Sequence, residues 1–170
     1  MGADGPRLIE INTNAGGALL NAALARAHRA CCASMQGLFD SSNDLLELDT
    51  RFVAMFRAEW QAQRGDAPLR TVLITDDAPE TQYLAPEFAL ARALFLRHGI
   101  TAAVGDARTL QWKDGALWHP ALPAGVPVDL VYNRLTDFDL SDPAHAALRS
   151  AYAAGSAVVT PRPHAHALHA

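Results

Sequence analysis

Thr71-Val72-Leu73-Ile74-Thr75 is the stretch whose reading decides the fold. It is a compact apolar run, closed by Pro68 on one side and by the polar Asp76-Asp77 on the other, and it reads as a short strand. A polar loop follows, then a helical pattern from about Pro86 to His98 with Gly99 as its stop. Ile100 to Val104 makes a second strand. Gln111 to Trp118 predicts a hairpin turning at Asp114-Gly115, and Val128-Asp129-Leu130-Val131-Tyr132 is a further buried strand. Asp142-Pro143 opens a helix to about Ala154, and Ala157-Val158-Val159-Thr160 ends the series. This alternation is the rhythm of an open, mostly parallel, Rossmann-like α/β sheet with flanking helices, assigned to residues 67–170.

Upstream the pattern differs. Arg7-Leu8-Ile9-Glu10-Ile11-Asn12 alternates like a short strand and ends in a loop at Thr13-Asn14-Ala15-Gly16-Gly17. Leu20, Leu24, Ala27 and Cys31 share one stripe, predicting a helix from about Ala18 to Met35 with Arg26 and Arg29 outward. Asp40-Ser41-Ser42-Asn43 supplies caps for a second helix, in which Leu45, Leu48, Phe52, Phe56 and Trp60 recur up to a stop near Gly65. The strand at 7–12 has no nearby pairing partner, so residues 1–66 are expected to belong to a larger assembly.

Composition narrows the function classes. Half of the 170 residues are hydrophobic, enough for a real core, and the net charge of −4 argues against nucleic-acid binding. Lys113 is the sole lysine. No apolar run has membrane-spanning length and no leader pattern opens the chain, so a cytoplasmic location without membrane contact is expected. Adjacent Cys31 and Cys32 suit neither a disulfide nor a zinc knuckle. His164, His166 and His169 lack carboxylate or cysteine partners and read as composition more than as a metal site.

Glu10 and Asn12 carry the sharpest chemistry. Period-two geometry puts both on one strand face, where they offer hard oxygen ligands of the kind magnesium takes, or simply form the solvated side. The loop Asn14-Ala15-Gly16-Gly17 runs into a helix N-terminus, which favours an anion, although its glycines also suit a plain tight turn. Arg134 closes a parallel strand where open α/β sheets bind ligands, and its planar fork suits a carboxylate or phosphate; an ion pair with Asp137 or Asp139 is the other reading. Asn133 stands beside it. Asp76, Asp77, Glu80, Gln82 and Tyr83 form a loop able to recognise a substrate amine, or one that is merely solvated. Glu87 most simply favours the first turn of its own helix.

Leu8-Ile9-Glu10-Ile11-Asn12-Thr13 followed by Gly16-Gly17 resembles the E-I-N-T segment of circularly permuted ATP-grasp ligases, notably eukaryotic-type glutathione synthetase and glutathionylspermidine synthase-like proteins. Val131-Tyr132-Asn133-Arg134-Leu135-Thr136-Asp137-Phe138 is similar to that family's substrate-carboxylate stretch. The resemblance implies that Glu10 and Asn12 coordinate magnesium bound to ATP, that the 14–17 loop contacts a peptide substrate, and that Arg134 binds a substrate carboxylate. It further implies that the chain is part of an ATP- and Mg2+-dependent carboxylate–amine ligase working through an acyl phosphate. Residues 67–170 would be the substrate-binding, pre-ATP-grasp domain, with an amine as co-substrate. The ATP-grasp core would lie elsewhere, so the isolated chain is expected to be inactive and to self-associate through the surface that core would cover. A stand-alone, non-catalytic module that binds a small carboxylate or peptide is the alternative. A Rossmann dehydrogenase is disfavoured because no G-x-G-x-x-G follows the strand at 71–75.

Overall fold

The computed structural model describes residues 14–31 and 42–164. The segment at 7–12, with Glu10 and Asn12, lies outside them, as do Cys32, His166 and His169. The ten main elements run α1 (Ala18–Cys31), α2 (Ser42–Arg64), β1 (Thr71–Asp76), α3 (Ala85–Arg97), β2 (Thr101–Asp106), β3 (Gln111–Lys113), β4 (Ala116–Trp118), β5 (Leu130–Asn133), α4 (Ala146–Ala153) and β6 (Val158–Thr160).

Four of the strands form one sheet in the order β2-β1-β5-β6, and every pairing in it is parallel. Leu73 sits level with Ala103 on one side and Val131 on the other, and Val131 is in turn level with Val159. Strand geometry sends alternate residues to opposite faces, and both faces are covered. Val72, Ile74, Leu130, Tyr132 and Val158 pack beneath α1, α2 and α3, whereas Leu73, Val131 and Val159 pack with Leu148 and Ala151 of α4 and Leu117 of β4. The result is an α/β/α sandwich. The β3-β4 pair is a separate hairpin whose tight turn uses Asp114 and Gly115 at φ 54° and 73°, the left-handed pair such a turn requires.

Aromatic packing fixes α2 to the sheet. Phe56 meets Phe95 edge-on at 5.1 Å and Tyr132 at 4.9 Å between ring centroids. Such pairs contribute about 0.5–1.5 kcal/mol each beyond the area they bury. Gly65 and Gly99, at φ 60° and 74°, end α2 and α3 at the expected stops.

Helix α1 departs from its predicted stripe. Leu24 is 57% exposed, and among the described side chains of this helix the buried ones are Leu19 and Ala22, a face turned by about 150° from the one that Leu20 and Leu24 define. The apolar positions of this alanine-rich helix permit more than one stripe, and its packing against α3 selects among them. The helix predicted at Asp142 begins with a 3-10 turn over Pro143–His145, capped by the Asp142 side chain on the amide of Ala144 at 2.8 Å, before α4 proper.

Candidate functional site

The chain passes from β1 to β2 on one side and later places β5 on the other, so the crevice at the carboxyl ends of β1 and β5 is the topological switch point of the sheet. The last rung across it is the amide of Arg134 donating to the carbonyl of Thr75 at 2.9 Å. Backbone geometry thereby delivers the Arg134 side chain to the place where such sheets bind ligands.

Arg134 is 8% exposed. Its Nη1 donates to Asn14 Oδ1 and to the carbonyl of Ala15 at 3.0 Å, and Nη2 donates to the carbonyl of Asn14 at 3.1 Å. A guanidinium carries five N–H groups, and these bonds use three of them; Arg134 also lies within hydrogen-bonding reach of the Tyr132 phenol. The Asn14 amide in turn donates to the carbonyl of Leu135 at 3.3 Å. The guanidinium carbon lies 5.5 Å from the ring centroid of Tyr132, within cation–π range. Tyr132 itself has its phenol pKa raised by burial. Asp137 is not the partner of Arg134; it bonds His145 instead.

Gly16 completes the contact by lacking a side chain. A Cβ there would lie 2.8 Å from both Arg134 Nη2 and Leu84 Cδ1. Gly17 takes φ 87° immediately before α1, a conformation suited to glycine. A cleft of about 410 Å3 opens beside these groups, with Gly16, Asn21, Phe52, Glu87, Tyr132 and Arg134 in its walls. A groove of about 460 Å3 runs along the hairpin past Lys113, Trp118 and His119, but it holds no comparable convergence of buried charge.

The helix N-terminus offered to an anion is already filled. Glu87 of α3, 2% exposed, accepts the amides of Leu19 and Leu20 on its two oxygens at 3.0 and 2.8 Å. This corrects the reading of Glu87 as a residue of its own helix only: it neutralises the first turn of α1, and a ligand phosphate would have to displace it.

Of the sequence-predicted residues, Asn14, Gly16, Gly17 and Arg134 are brought together. Asn133 is buried next to them, yet its Oδ1 accepts the amide of Leu135 at 3.2 Å and turns the chain after β5. Gln82 and Tyr83 lie on the β1–α3 loop. Gln82 donates to the carbonyl of Asp77 at 2.7 Å, and Tyr83 is 94% exposed. Among the described residues no group of three or more His, Cys, Asp or Glu side chains is placed to hold a metal ion.

A second polar cluster lies along the same edge of the sheet. His145, 1% exposed, bridges two carboxylates, with Nδ1 2.6 Å from Asp137 Oδ2 and Nε2 3.0 Å from Asp77 Oδ1. Burial alone would lower its pKa, but the bonds to Asp137 and then Asp77 outweigh burial and raise it. Asp76, at the end of β1, has its carboxyl pKa raised by burial. Asp106, at the end of β2, is held down at about 2 by the Arg108 guanidinium. Between Asp77 and the turn at Pro79 stands Ala78 at φ 40°, a left-handed conformation costing an alanine about 1–2 kcal/mol. Nothing in the sequence marks His145; a lone histidine among alanines carries no local signal of its carboxylate partners.

No protein-family model matches the chain, and no curated protein matches it. Among the described residues no helix is long and apolar enough to cross a membrane.

Proposed function

We propose that the chain is the substrate-binding part of an ATP- and magnesium-dependent carboxylate–amine ligase, and that the cleft at Arg134 takes the carboxylate of a small acid or peptide. The observation that carries this reading is the meeting of Arg134 with Asn14, Ala15 and Gly16. These two stretches lie about 120 residues apart in sequence and form one wall of one cleft.

Each described group has a binding role. The bonds to Asn14 and Ala15 hold the guanidinium in one orientation, so its remaining N–H groups meet a carboxylate without first being ordered. Gly16 keeps a side chain out of the contact. Phe52 and Phe56 make the wall apolar, which reduces the screening of the ion pair by water. Bound Mg·ATP would supply the phosphoryl group that activates the carboxylate, and Glu10 and Asn12 are the residues proposed to hold it.

Calorimetry on the purified chain tests the proposal, with a γ-glutamyl dipeptide as probe, in the presence and absence of Mg·ATP. The dipeptide should bind, and Arg134→Lys should weaken it by at least about tenfold, because an ammonium cannot reproduce the planar fork. Magnesium-dependent nucleotide binding that Glu10→Gln removes supports the ligase. Dipeptide binding that Arg134→Lys weakens supports the cleft with or without nucleotide binding, and failure of the dipeptide to bind would overturn the assignment of the cleft.

A further inference from the structure

His145 stands where two loops meet. Asp137 belongs to the β5–α4 connection, as does His145 itself, whereas Asp77 opens the β1–α3 loop. An ionised carboxylate only accepts hydrogen bonds, so a histidine bonded through both ring nitrogens to two carboxylates must carry a hydrogen on each. The arrangement is complete only with an imidazolium. We infer that His145 is a proton-dependent clasp that fastens the β1–α3 loop, residues 77–84, to the carboxyl edge of the sheet and opens when the imidazolium loses its proton.

The geometry says which link would part. Asp137 is the closer partner and the less exposed, at 17% against 44% for the Asp77 side chain. It is also held by the amides of Ser141 and Asp142, both at 3.1 Å. A neutral His145 keeps its one N–H on Asp137 and turns a lone pair toward Asp77, which water can then solvate. The other charged groups about the clasp are Arg108, 3.9 Å from Asp77 and paired with Asp106, together with Asp76 and Glu80 on the β1–α3 side and Asp139 and Asp142 on the other. Arg108 retains a weak hold on Asp77 but does not bridge it to α4. The amide of Ala78 donates to Asp106 Oδ2 at 3.3 Å, and this link to β2 stays when Asp77 is released.

The clasp reaches the cleft through the same loop. Gln82 is bonded to the carbonyl of Asp77, and Leu84 at the loop's end packs against Gly16, which lies on Arg134. Opening at His145 therefore loosens the support of the Gly16 contact. That last step rests on the proposed function; the clasp does not.

Amide hydrogen exchange of the full chain, followed by NMR from about pH 5.5 to 9 alongside the ring signals of His145, tests the inference. Corrected for intrinsic exchange, the protection of the Thr81 and Gln82 amides, which close the turn of this loop, should fall by at least about tenfold as His145 deprotonates, while the β1 and β5 amides keep theirs. Asp77→Asn, at a half-exposed side chain whose amide can accept from the imidazolium or donate to the neutral ring, should leave the sheet intact and remove the step. His145→Gln should also abolish it. Protection that does not change as His145 titrates, or a step that survives in Asp77→Asn, would overturn the clasp. Failure of the dipeptide to bind would overturn the cleft assignment and leave this readout untouched.

Discussion

The carboxylate of Glu87 accepts the amide of Leu20 at 2.8 Å across 67 residues of sequence. Together with its bond to Leu19, this lets a side chain of α3 cap α1 from outside, so the first turn of one helix depends on the placement of another. It also puts a buried carboxylate in the wall of the cleft that holds Arg134.

Glu87→Ala should destabilise the fold by about 1–3 kcal/mol, since two amides lose their acceptor in a buried setting. Urea denaturation measures it. Glu87→Gln should cost less, because one amide oxygen remains to accept. A loss for the alanine variant within about 0.5 kcal/mol, the range of ordinary surface changes, would mean that the cap does not hold α1.

Gly105 matters for a different reason. A Cβ at this position would lie 2.2 Å from His119 Cε1, and His119 is held by Thr109 Oγ1 at 2.8 Å and by the amide of Ala121 at 3.0 Å. Gly105→Ala should therefore cost about 1–3 kcal/mol by overpacking. In a His119→Ala background the same change should cost much less, and a double-mutant cycle reads the difference. Equal costs in both backgrounds would show that the ring is not what the new methyl meets.

His119 and His145 should give stability opposite dependences on pH. The pKa of His119 is lowered by burial, so the unfolded chain takes up a proton first; its contribution is present above the ordinary value of about 6.5 and falls as pH drops below it. The pKa of His145 is raised, so its contribution is full below about 6.5 and is lost as pH rises through the folded value. Urea midpoints measured across pH should show His119→Gln flattening the acid limb and His145→Gln flattening the alkaline one. Curves for both variants that run parallel to the parent's would contradict the assignment.

Much of the architecture was legible because its signals are local. The run at 71–75, the Asp114-Gly115 turn, and Gly65 and Gly99 each act through their own backbone preference or that of immediate neighbours, and the described strands and helices fall where those signals put them. The site was legible only in part. The Asn14 to Gly17 loop and Arg134 could each be picked out, but nothing near either stretch says that they touch. Asp137 and Asp139 were the obvious partners for Arg134 by proximity in sequence, yet β5 ends by sending Arg134 toward α1 while the following loop carries Asp137 to His145.

By itself, then, the sequence determined the order and kind of the elements, the all-round burial of the parallel strands and the turn that makes the hairpin, since short-range periodicity and backbone preference decide these. Only the tertiary structure decided which face of α1 is buried, that Glu87 fills the N-terminus of α1, that Arg134 rests on Asn14 and Ala15, and that His145 joins Asp77 to Asp137. Most of these contacts link residues 67 or more positions apart, where the gain from pairing buried polar groups depends on packing that no local stretch of chain encodes.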